Sequence, residues 1–127
     1  MRKLTSLMVG AVIAAASLAA TTTPASANPG VRNVRYGDTS QGVRCVQHAL
    51  NKWNVSFGRA ANLAEDSVFG DATLREVKYF QDDQGLDADG VVGPRTGNYL
   101  LWELSNGIPP WQWLDPCKYE VPSLNTW

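Results

Sequence analysis

An internal repeat constrains this chain more than any other feature. Asp66-Ser67-Val68-Phe69-Gly70-Asp71-Ala72-Thr73 matches Asp89-Gly90-Val91-Val92-Gly93-Pro94-Arg95-Thr96 at an offset of 23 residues. Each copy carries an aspartate, two apolar residues, a glycine and a threonine, and each leads into a helical pattern. The aspartate favours a turn, the apolar pair plugs a core, and the glycine permits a sharp approach to the helix. Two such units beside one further helix predict an all-α domain of three helices with pseudo-symmetric loop-to-helix joints.

Hydrophobic periodicity places those helices. The first opens after Gly37-Asp38-Thr39-Ser40, which offers several N-cap residues. Val43, Val46, Leu50 and Trp53 then recur at helical spacing, with Gln41, Arg44, Gln47, Asn51 and Lys52 mostly on the other face. The helix is expected to stop near Asn54, and Val55 to Asp66 reads as a loop. The second opens at Asp71 as N-cap, carries Leu74, Val77 and Phe80, and stops at Gly85. The third opens at Pro94, which suits a first helical turn, and runs through Tyr99, Leu100, Leu101 and Leu104 to Asn106-Gly107. Trp53 and Trp102 both fall at core spacing.

The flanks carry different information. Arg2 and Lys3, an apolar stretch from Leu7 to Ala20, and Ala25-Ser26-Ala27 have the layout of an export signal, with cleavage expected after Ala27. The apolar run is shorter than the roughly 20 residues that span a bilayer, which favours a cleaved signal over an anchor, and nothing later in the chain is apolar long enough to span, so no membrane association is expected after cleavage. Removing 27 of 127 residues leaves 100, with nine basic residues against 12 acidic ones, a net charge of −3. That excludes a nucleic-acid partner, which demands a basic face. Residues 28–33 read as a flexible lead-in, 34–107 as the domain, and 108–127 as an aromatic tail holding three of the five tryptophans. Ile108-Pro109-Pro110 separates domain from tail. Trp111 and Trp113 alternate, so an extended tail would put both rings on one side, where they either stack on sugar faces or, as the large apolar area of each ring favours, cover the helices. Export implies an oxidising compartment, and the two cysteines, Cys45 and Cys117, are expected to form one disulfide that ties the tail back.

Tyr36-Gly37-Asp38, Val43, Val46, Gln47 and Leu50, then Val68-Phe69-Gly70, Ala72-Thr73 and Val77, and above all Phe80-Gln81, Gly85-Leu86 and Asp89 to Thr96 carry a resemblance. The segment 34–104 resembles the peptidoglycan-binding domain found beside many bacterial cell-wall hydrolases. Two departures stand out: the family pattern usually has glycine where Ser67 stands, and the loop from Asn54 to Glu65 is longer than usual. The resemblance implies a three-helix orthogonal bundle that binds the stem peptide or glycan of peptidoglycan. A hydrolase domain, the usual companion, does not accompany it in this sequence. The chain is therefore expected to act as a secreted, stand-alone, non-catalytic module. The alternative is a protein-interaction module, an inhibitor or accessory partner of a separate exported hydrolase.

The residue inventory argues in the same direction. A zinc site needs three or four ligands, and the chain has one histidine, His48. The acid pairs Glu65-Asp66 and Asp82-Asp83 are adjacent in sequence and do not face each other across a substrate. No serine has a convincing base and orienter. Gly85 to Thr96 fails as a calcium loop, because an acid is required at both ends. Related small domains act as propeptides of zinc proteases with a metal-capping cysteine, but the residues around Cys117 depart from that motif. No metal or cofactor is expected. The candidate ligand-binding residues are those at the repeat joints: Gly70, Asp71, Thr73, Gly93, Arg95, Thr96 and Tyr99. Helix N-termini there present free N–H groups suited to a carboxylate, and Arg95 adds a charged donor. The same glycines and threonines also serve the turns themselves.

Overall fold

A computed structural model describes residues 30–106 and 111–125. The expected export signal at 1–27, the first two residues of the lead-in and the Ile108-Pro109-Pro110 break lie outside the described residues. The described part is all-helical: α1 (Gln41–Ser56), α2 (Asp71–Asp83), α3 (Pro94–Ser105) and α4 (Trp111–Cys117). None of these helices is long and apolar enough to cross a membrane.

Local chemistry sets the helix ends. Ser40 caps α1, its hydroxyl accepting from the Val43 N–H at 3.3 Å. The helix runs two residues past the expected stop and closes with Gly58 at φ 70°. The Gly58 N–H donates to Val55 O at 3.0 Å and the Arg59 N–H to Asn54 O at 2.8 Å, a Schellman closure that only a left-handed residue allows. Helix α2 closes the same way at Gly85, through Gly85 N–H to Asp82 O and Leu86 N–H to Gln81 O. Its N-cap is Gly70 rather than Asp71, which sits one residue inside the helix. At the other end of α3 the Lys52 ammonium donates to the Glu103 and Leu104 carbonyls, which the chain would otherwise leave without intrahelical donors. Burial lowers the pKa of Lys52 and raises that of Glu103, each shift partly offset by the other's charge.

The core is one apolar cluster. Val43, Val46, Leu50 and Trp53 of α1 meet Val77 and Phe80 of α2 and Leu100, Leu101 and Leu104 of α3, with Phe69 and Val92 inserted from the two joints. Each joint thus drives one of its two apolar residues into the core, not the pair that the repeat implies: Val68 is 48% exposed and Val91 half-buried, because successive residues of an extended joint point to opposite sides. Trp102 does not join them: it is 54% exposed, because α3 buries the stripe through Leu100, Leu101 and Leu104 and turns Trp102 to solvent.

The joints are built alike around a buried glutamine. Gln47 donates from Nε2 to Asp66 Oδ1 (2.9 Å), Val68 O (3.0 Å) and Thr73 Oγ1 (3.1 Å), and accepts from the Ser67 N–H (3.0 Å). Gln81 does the same at the second joint with Asp89 (3.1 Å), Val91 O (2.9 Å), Thr96 (3.0 Å) and the Gly90 N–H (2.9 Å). Gln47 and Asn51 were therefore misplaced on a polar outer face; both are buried, Asn51 bonding both ways with the Leu63 backbone. Residues 34–40 clasp both joints, Val34 bridging to Val92 and Thr39 to Val68. Hydrogen bonds from the Val68 N–H and the Gln47 amide hold the Asp66 carboxyl below its ordinary pKa.

The tail is a strap. Cys117 is bonded to Cys45 with their Cα atoms 5.6 Å apart, as the sequence implies. The segment before it is helix α4, not the extended chain expected from the alternation of Trp111 and Trp113. The Trp113 ring stacks on His48 with centroids 3.8 Å apart, under the Arg44 guanidinium, while the side chain of Trp111 lies outside the described part. Beyond Cys117 the chain crosses α1 and α3 at two glycines. A Cβ on Gly42 would sit 2.6 Å from Glu120 O, and one on Gly97 would sit 1.8 Å from Pro122 O.

Candidate binding site

Two adjoining grooves flank Arg95 at the second joint, sharing Gly85, Leu86 and Arg95. One, of about 270 Å³, runs over the joint between Asn33, Asp87, Asp89 and Pro94. The other, of about 330 Å³, runs along α3 past Asn98 and Tyr99 to Leu124 of the strap. Arg95, Asn98 and Tyr99 share one face of α3, being spaced i, i+3 and i+4. The Arg95 side chain is exposed and pairs with nothing among the described residues. The Asn98 Oδ1 is buried and accepts no hydrogen bond, an unmet demand for a donor. Tyr99 offers a ring 41% exposed. The double groove therefore presents a cation and an aromatic face within one turn of helix, with the unsatisfied Asn98 acceptor buried between them.

A further groove of about 300 Å³ lies between the end of α1, the loop after it and α2, lined by Asn54, Arg59, Asn62, Arg75, Glu76 and Tyr79 among others. Among the described residues no three of His, Cys, Asp and Glu gather as a metal site would require. His48 is taken up by Glu65, whose carboxylate lies 3.0 Å from Nδ1, and by the Trp113 ring.

Residues 39–100 match the model of the peptidoglycan binding domain family. The domain belongs to this family. The chain is 35% identical over 112 residues to the zinc D-Ala-D-Ala carboxypeptidase of Streptomyces albus G, covering 78% of this chain and 43% of that protein. It is 44% identical over 45 residues to an uncharacterized protein from the bpoA1 3' region of Kitasatospora aureofaciens, covering 35% of this chain and 38% of that one. The chain thus spans less than half the length of these curated relatives. No solved structure matches it.

Within this peptidoglycan-binding domain the expected site residues divide. Gly93, Arg95 and Thr96 line the groove over the second joint, and Tyr99 lines its neighbour. Gly70, Asp71 and Thr73 line none of the three grooves described above. Thr73 and Thr96 are buried, and each hydroxyl accepts from a glutamine amide, so their hydroxyls are committed to the joints. The pseudo-symmetry of the sequence does not produce two equal sites. Asn98 escaped sequence reasoning, although its spacing from Arg95 and Tyr99 on one helix puts it on their face. Asn33, Asp87 and Leu86 also line the second-joint grooves, brought there by the clasp and by the closure at Gly85.

Proposed function

We propose that this protein is an exported, non-catalytic module that binds cell-wall peptidoglycan through the double groove around Arg95. The observation that carries the reading is the trio on α3: an unpaired guanidinium, the buried Asn98 Oδ1 lacking a donor, and the Tyr99 ring. A stem peptide supplies the complement. Its carboxylate pairs with Arg95 as a charge-assisted hydrogen bond, and a turn of the Asn98 side chain, whose Oδ1 forfeits no hydrogen bond by leaving the interior, lets it accept a backbone N–H. Family membership supports the ligand class. The carboxypeptidase activity in the Streptomyces relative's name is not carried over, since this chain covers 43% of that protein and its single histidine is occupied. Export through the first 27 residues agrees with the disulfide and with a ligand outside the cell.

Co-sedimentation with purified sacculi tests the reading, with a melting curve on the same samples. Wild type should pellet and release no soluble fragments. Arg95→Ala should weaken binding by about tenfold or more, the loss of one charge-assisted bond, with an unchanged melting point. Protein that stays in the supernatant at low and moderate salt ends the wall-binding reading. A sharp fall in melting point makes the arginine structural.

A further inference from the structure

We propose that the groove between the end of α1 and α2 is a second site, one that takes a sugar bearing a carboxylate; the inference rests on the wall-binding reading above. The argument starts from an asymmetry between the two units. From Gln81 to Asp89 is eight residues, whereas from Gln47 to Asp66 is 19. Both glutamines tie their joints with the same bonds, so the joint does not need the extra chain. The extra residues instead extend α1 by further turns to Trp53 and Asn54, close it at Gly58, and add the loop that carries Arg59 and Asn62. Those residues form one wall of the groove, and Arg75, Glu76 and Tyr79 of α2 form the other.

Its chemistry suits an anionic saccharide. The closure at Gly58 fixes the Arg59 backbone, and the guanidinium lies over three rings, 4.7 Å from the Trp53 centroid, 4.9 Å from Tyr79 and 5.3 Å from Phe57. An arginine already stacked loses little freedom when it grips a ligand. Tyr79, which lines the groove, is 50% exposed, leaving aromatic surface for the C–H face of a pyranose ring. Asn54 is buried and holds the two walls together, donating to Glu76 Oε2 at 3.0 Å and accepting from Arg59 at 3.5 Å, so that the Glu76 carboxylate and the Asn62 amide are the planar groups left for sugar hydroxyls. Arg75 pairs with nothing among the described residues. Two guanidinium groups against one carboxylate leave the groove positive on a chain whose formal charge is −1, and the planar fork of arginine matches a carboxylate.

Two wall components share this chemistry: glycan strands stripped of peptides, whose lactyl groups carry free carboxylates, and uronic-acid polymers. Isothermal titration of the purified protein with each, with amide shift mapping, tests the site. Either ligand should bind with shifts centred on Arg59, Asn62 and Tyr79. Arg75→Ala should weaken binding by about tenfold without changing the melting point, as the loss of a charge-assisted bond does. Reduction of the ligand's carboxyl groups should do the same. Tighter binding of strands assigns the site to the glycan, and tighter binding of the uronate polymer assigns it to an accessory polymer. If wild type pellets with sacculi yet binds neither saccharide, or shifts fall only around Arg95, the second site is overturned while the wall-binding reading stands. Failure to bind sacculi and saccharides alike removes both.

Discussion

Gln81 and Gln47 decide how each turn reaches its helix, and each ties together groups that no helix or sheet would satisfy. At the second joint one side chain serves the Gly90 N–H, the Val91 carbonyl, Asp89 and the Thr96 hydroxyl. Gln81→Leu keeps the volume and strands the buried Gly90 N–H and Thr96 hydroxyl, so stability should fall by about 3 kcal/mol in urea unfolding. Loss of less than about 1 kcal/mol would show that water replaces the amide. The identity of these residues was visible in the sequence, and their role was not. Gln47 lies among polar residues on α1, and what buries it is a joint 19 to 26 residues further on. Ser67 shows the opposite case. Its departure from glycine was legible, and the structure gives the consequence: φ 64°, where Gly90 at the matching place has φ 77°. A side chain is tolerated at Ser67, but a Cβ on Gly90 would come within 2.4 Å of Leu74 Cδ1.

At the scale of elements, the three main helices and the closure of α2 at Gly85 were legible, because each is written in local periodicity and local turn chemistry; the closure of α1 at Gly58 was not, and the helix runs two residues further than its periodicity suggested. The tail was not. Alternating tryptophans suggest an extended segment, yet Trp111–Cys117 is helical. The disulfide fixes its end on α1, and Trp113 finds His48 there, a partner 65 residues away in sequence. Gly42 and Gly97 looked unremarkable within helices, and both turn out to mark where the strap crosses. A methyl group on Gly97 meets the Pro122 carbonyl, a backbone atom that cannot swing aside. Gly97→Ala should therefore cost about 2 kcal/mol, although the same change in an exposed helix is stabilising by roughly 0.5–1 kcal/mol. Thermal unfolding of the variant decides it: a raised melting point would mean the strap lifts off α3 at little cost.

The whole molecule joins a pseudo-symmetric core to two asymmetric additions, the longer α1 with its loop and the strap. The core was legible in the repeat. The second-joint groove was legible in part, through Arg95 and Tyr99, and the rest depends on these additions, which bring chain to the surface from far away. The strap links stability to the proposed ligand site. Cys45 and Cys117 are both fully buried, and their bond closes a loop of 72 residues. Constraint of the unfolded chain stabilises by at most about 4–5 kcal/mol at this loop length. Leu124 of the strap lines the groove that holds Asn98 and Tyr99, whereas the groove with Arg59 and Arg75 contains no strap residue. Replacing both cysteines by alanine should lower the melting point by more than 10 °C, a shift of the size that about 3 kcal/mol produces in a domain of this length. Far-ultraviolet circular dichroism should retain most of the helix. Well below the new melting point, the loosened strap should weaken sacculus binding at the Arg95 groove and leave saccharide binding by Arg59 and Arg75 near the wild-type value. Equal losses in both assays would show that the bond acts on the whole fold, and no loss in either would show that the strap holds its place by the Gly42 and Gly97 contacts alone.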